Sequence, residues 1–82
     1  MKLPRDLSGA DFVKLLRRYG YEVTRQAGSH IRLVSNVRGV QHHITIPAHK
    51  NITIGTLAGI LTDVAHYLQM SRSDLERELF ES

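Results

Sequence analysis

At 82 residues and without a cysteine, the chain reads as one domain (1–82) near the small end of what folds unaided; a disulfide framework, a thiolate nucleophile and a cysteine-based zinc site are excluded. No stretch approaches the ~20 apolar residues of a membrane span, and Met1-Lys2-Leu3-Pro4-Arg5-Asp6 lacks the apolar run of a signal peptide, so a cytoplasmic protein with no membrane partner is expected. The net charge of +3 is unevenly spread: residues 1–50 carry nine Lys/Arg against Asp6, Asp11 and Glu22, giving +6, while residues 51–82 carry Arg72 and Arg77 against five acids, giving −3.

Ser8 followed by Asp11 has the form of an N-cap with a carboxylate in the first turn, where it suits the helix dipole. Phe12, Leu15, Leu16 and Tyr19 then recur at helical spacing, and Gly20 supplies the left-handed stop, predicting a helix over Gly9 to Tyr19. Period two follows. Tyr21 and Val23 alternate with Glu22, Thr24 and Gln26; Ile31 and Leu33 alternate with His30 and Arg32; Ile44 and Ile46 alternate with His43 and Thr45. Turns at Ala27-Gly28-Ser29 and Ser35 to Gly39 separate these three strands, and Pro47, lacking an N–H, ends the third. Beyond the loop Ala48 to Ile52, Leu57, Ile60, Leu61, Val64 and Leu68 restore the helical period. Gly55 and Gly59 there each cost ~1 kcal/mol of propensity relative to alanine. A short last helix is expected to begin near Ser71 or Ser73 and to bury Leu75 and Leu79. The predicted fold is α+β, in the order α-β-β-β-α with an extra C-terminal helix: an antiparallel three-stranded sheet with its helices on one face.

Gly28-Ser29-His30 puts a histidine directly after a sharp turn, at the start of a strand. Histidine is the side chain best suited to both taking and giving a proton near neutrality. If Ile31 and Leu33 face the helices, His30 and Arg32 face the open side, together with Thr24, Gln26, His43 and Thr45. A four-residue turn at Asn36 to Gly39 sets Arg32 opposite His43 and His30 opposite Thr45, and a three-residue first turn sets Gln26 beside His30; a shift of two residues keeps the faces and changes the partners. His42 shares parity with Ile44 and belongs to the buried edge, and His66 to the rim of the second helix. The competing reading of His30 is a surface histidine beside a turn. No carboxylate joins the histidines at zinc spacing and no HExxH pattern occurs, so neither a metal site nor a cofactor is expected.

Three blocks in order then resemble one family: Tyr19-Gly20-Tyr21 leading to Gly28-Ser29-His30; Ile44-Thr45-Ile46-Pro47-Ala48-His49-Lys50; and Ile54-Gly55-Thr56-Leu57 with Ile60-Leu61. The chain resembles the HicA-type (YcfA-like) toxins, mRNA interferases of HicA/HicB toxin–antitoxin pairs. The resemblance implies a fold like that of a double-stranded-RNA-binding domain, ribosome-independent cleavage of mRNA, His30 as the catalytic histidine, and a HicB-type antitoxin covering the active face. The sequence departs from the family at Ala27, where a basic residue or glycine is usual, and in the longer, more acidic segment from His66 to Ser82.

RNA carries its own nucleophile in the 2′-hydroxyl, so cleavage needs no metal and no covalent enzyme intermediate. His30 is expected to act as general base or acid, a role worth typically ~100- to 10,000-fold in rate. Arg32 suits a phosphate clamp and Lys50 a point charge for the RNA backbone. Ser29, after Gly28, is either a phosphate donor or a turn-forming serine, and His43 is the candidate second proton-transfer group. The alternatives are a non-catalytic RNA-binding module of the same fold, and an interaction domain whose basic face docks an acidic protein.

Overall fold

The computed structural model describes residues 3–81. Met1, Lys2 and Ser82, which enter the sequence reading through the N-terminal segment and the span 1–82, lie outside the described residues. Helix α1 runs Gly9–Leu16 and tightens into a 3-10 turn over Arg17–Tyr19, which Gly20 closes at φ 81°. The Ser8 hydroxyl accepts from the Asp11 N–H at 3.1 Å, the expected cap. Strands β1 (Glu22–Ala27), β2 (His30–Ser35) and β3 (His42–Pro47) form an antiparallel meander in the order β1-β2-β3. Helix α2 (Ile54–Leu68) starts on a Thr53 cap, and α3 (Arg72–Phe80) on a Ser71 cap.

The core lies between the helices and one face of the sheet. Ile31, Leu33, Ile44 and Ile46 point into it, meeting Phe12, Val13 and Leu16 of α1 and Leu57, Leu61 and Val64 of α2. Tyr21, just before β1, is fully buried among them. The segment from His66 to Phe80 packs against the rest of the molecule: Leu75 and Leu79 join the core, buried Glu76 pairs with Arg72 at 2.8 Å, and the Tyr19 hydroxyl donates to the Glu78 carboxylate.

Both strand registers differ from the expected ones. The first hairpin has only Gly28 and Ser29 between Ala27 and His30, which pair. Gln26 therefore pairs with Ile31 and Arg25 with Arg32, while nearer the strand start Val23 pairs with Leu33. The register slips by one between Val23 and Arg25, a β-bulge at Thr24, and every β1 residue after it changes face. Gln26, expected on the open face, instead borders the α1 side with Ala10, Val13 and Lys14.

In the second hairpin the pairs are His30 with Pro47, Arg32 with Thr45 and Val34 with His43. This is the two-residue shift that preserves faces, and its cause is a loop extending to Gln41. That loop is closed from below by Tyr67 of α2, whose hydroxyl accepts from the Arg38 N–H at 3.1 Å and lies 3.3 Å from the Ser35 carbonyl. His42, at the start of β3, is half-buried as its parity requires. It stacks on Tyr67 with ring centroids 4.6 Å apart, lies 2.7 Å from the Tyr21 hydroxyl through Nδ1, and 3.3 Å from Asp63 through Nε2. Burial, then the neighbouring Tyr67 and Asp63, push the Tyr21 hydroxyl far above its ordinary pKa, so it serves this cluster as a hydrogen-bonding group.

Candidate functional site

The turn at Gly28 adopts φ 57°, in the left-handed region, while a Cβ there would meet nothing within 4 Å; backbone conformation, not space, calls for glycine. Past the turn, the Ser29 carbonyl accepts from the Ala48 N–H at 2.7 Å, which carries the β2–β3 ladder one step beyond Pro47. The loop after Pro47 is tied from its other side as well. The His49 carbonyl accepts from Gly9 N–H at 2.9 Å, and the Ile52 N–H donates to Leu7 at 2.8 Å. Gly9 lies so close that a Cβ would fall 2.2 Å from the Pro47 carbonyl oxygen. The Gly28-Ser29-His30 turn thus meets the Ala48-His49-Lys50 loop at one end of the sheet, while Tyr19-Gly20-Tyr21 lies at the other end, beside Ser35 and His42.

Beside this junction, on the sheet face without helices, lies an open depression of about 370 Å³ lined by Arg25, Ala27, His30, Arg32 and Thr45. His30 and Arg32 are exposed, and two residues of strand set them ~7 Å apart on the same side. No hydrogen bond or ion pair among the described residues uses the side chains of Arg25, His30, Arg32 or Lys50. Four other cations are engaged, Arg18 with the Glu78 carbonyl, Arg38 with Gln69, Arg72 with Glu76 and Arg77 with Asp74, whereas Arg5, Lys14 and Arg17, which do not line the depression, are likewise without a side-chain partner among the described residues. The depression therefore offers uncommitted guanidinium donors and an imidazole to an incoming ligand. That arrangement suits an anion with several acceptor oxygens, such as a phosphodiester.

The structure gathers His30 and Arg32 and sets Gly28 and Ser29 at the end of the same ribbon. Lys50 is exposed in the adjoining loop, three residues before the α2 cap. His43 shares the open face but pairs with Val34, four residues along β2 from His30 and so ~13 Å away, outside the depression. Arg25 was missed because uninterrupted alternation assigns it to the core side with Tyr21 and Val23. An arginine at a core position of an edge strand was the available signal, since that conflict is resolved by a bulge. Among the described residues no group of three or more His, Cys, Asp or Glu side chains is placed to hold a metal ion. No described helix is long and apolar enough to cross a membrane.

A family model described as the HicA toxin of bacterial toxin-antitoxin systems matches residues 9–65. The match begins at the glycine wedged against Pro47 and ends within α2, so α3 lies outside it. No curated protein and no solved structure matches the chain at a significant level.

Proposed function

The chain belongs to the HicA toxin family of bacterial toxin–antitoxin systems, and on that premise we propose that it is an endoribonuclease acting on mRNA. The observation that carries this reading is the pairing of an unengaged histidine with an unengaged arginine on the uncovered sheet face.

The chemistry asks little of the protein beyond proton transfer and charge stabilisation. The 2′-oxygen attacks the adjacent phosphorus, the bond to the 5′-oxygen breaks, and a proton moves from the first oxygen to medium or enzyme while the second gains one. His30 takes or delivers one of these protons. Arg32 holds the non-bridging oxygens as their negative charge grows. Lys50 and the amide-rich turn around Ser29 lead the flanking backbone toward the depression. His43, at the far end of the face, contacts the strand away from the reacting bonds. A HicB-type antitoxin silences the toxin by covering the same open face, where an acidic surface would meet the free cations.

The test is a cleavage assay with purified protein and a synthetic mRNA fragment in the presence of EDTA. Wild type should produce fragments, and His30→Ala should lose ~100-fold or more of the rate while unfolding at the wild-type temperature. Undiminished cleavage by His30→Ala would remove the histidine from the mechanism. Tight RNA binding by wild type without fragments would instead support the RNA-binding module, and loss of cleavage in EDTA would bring a metal into the reaction.

A further inference from the structure

Arg25 and Arg32 face each other directly across β1 and β2, on the open side of the sheet and in the wall of the same depression. Directly opposed residues of an antiparallel pair have Cβ atoms ~5 Å apart, and like charges in that position destabilise the sheet. Neither guanidinium has a carboxylate within the described residues to offset the repulsion. The pair exists only because of the bulge at Thr24; without it Arg25 would turn toward the helices and Arg32 would stand alone. A local irregularity thus creates an unfavourable contact in the free protein, at the rim of the depression that His30 lines. We propose that Arg25 and Arg32 together form a two-guanidinium clamp for a phosphate of the RNA strand, and that the bulge exists to supply its second arm.

The inference rests on the ribonuclease reading for the identity of its ligand but not for its geometry. A phosphate between two opposed guanidinium groups receives donors from both strands, and its charge converts their repulsion into attraction. Arg32 is two residues from His30 and Arg25 is paired next to it, so a phosphate held there lies within about one nucleotide step of the imidazole. The clamp accordingly fixes which linkage is presented to His30. It is a binding and positioning device, and proton transfer stays with His30.

Binding is measured separately from cleavage by using a fluorescent RNA oligonucleotide and the His30→Ala protein, with and without Arg25→Gln. Arg25→Gln should weaken binding roughly tenfold or more. It should also make the slope of log affinity against log salt shallower by ~0.7, the loss of one phosphate contact on a single strand. In the wild-type background the free Arg25→Gln protein should melt at the same or a higher temperature at low salt, because the like-charge pair is gone; a residue with a merely structural role would lower it. Arg25→Lys should recover the salt slope but only part of the affinity, since ammonium cannot reproduce the planar fork. Unchanged affinity and slope in Arg25→Gln overturn the proposal, as does a wild-type protein that binds no RNA. Arg25-dependent binding of polyglutamate without binding of RNA also overturns it, in favour of an acidic protein ligand. RNA that binds in an Arg25-dependent way but is never cut leaves the clamp standing and removes the nuclease reading.

Discussion

Replacing Gly9 with alanine should destabilise the protein, although the same substitution at the other helical glycines should stabilise it. In a helix, alanine is favoured over glycine by up to ~1 kcal/mol, chiefly through the entropy of the unfolded chain. At Gly55 and Gly59 an added Cβ meets nothing within 4 Å, so each should gain ~0.5–1 kcal/mol. At Gly9 the new methyl group falls 2.2 Å from the Pro47 carbonyl oxygen and 3.1 Å from the Ala48 Cα, and both are backbone atoms that cannot rotate away. Overpacking of this kind costs ~1–3 kcal/mol. The helix must also retreat from the His49 carbonyl, which Gly9 N–H reaches at 2.9 Å, weakening a bond worth ~1 kcal/mol. Set against the propensity gain, the net loss is about 2 kcal/mol, or roughly 8–16 °C in Tm for a domain of this size. Thermal unfolding of the three single variants, followed by circular dichroism, tests the sign directly. A Gly9→Ala protein that melts at or above the wild-type temperature would refute the close packing of α1 on the end of β3, and with it the account of how the His49–Lys50 loop is held.

His42→Ala should cost about 2 kcal/mol in urea unfolding, because the buried Tyr21 hydroxyl loses its 2.7 Å partner and the ring stacked on Tyr67 disappears; cleavage per folded molecule should not change, and unaltered stability would argue against the cluster as a tie between β3 and α2. His43→Ala should keep most of the cleavage rate, since its pairing with Val34 places it outside the depression; a loss of ~100-fold or more would return it to the proton-transfer step.

Much of this protein was legible one residue at a time. Local signals sufficed for the cap at Ser8, the left-handed stop at Gly20 and the faces of β2 and β3, because each depends on neighbours a few residues away, and they narrowed the start of α3 to Ser71 or Ser73, of which Ser71 is the cap. The same holds for the site's main element. The parity of Ile31 and Leu33 against His30 and Arg32 is decided by pleat geometry once one face is buried, and a two-residue error in loop length cannot reverse it. His42 could be assigned to the buried side on the same ground, although its partners could not, since Tyr21 precedes β1 and Asp63 and Tyr67 both come from α2, each far from His42 in the chain.

The residues around the histidine were decided at the tertiary level. An uninterrupted alternation through β1 is the natural reading of Tyr21 to Gln26, yet packing Val23 against Leu33 and turning the chain in two residues at Gly28-Ser29 cannot both be met without an extra residue. The bulge at Thr24 absorbs it, removes Gln26 from the open face and brings Arg25 there. Likewise the Tyr67 hydroxyl, reaching from α2 under the second hairpin, holds a longer loop and sets His43 beside Val34 rather than Arg32. Sequence alone determined that a histidine and an arginine stand on an uncovered sheet face, because that follows from a local period of two. Which side chains stand beside them depended on register, and register is fixed by contacts between segments that the linear order does not bring together.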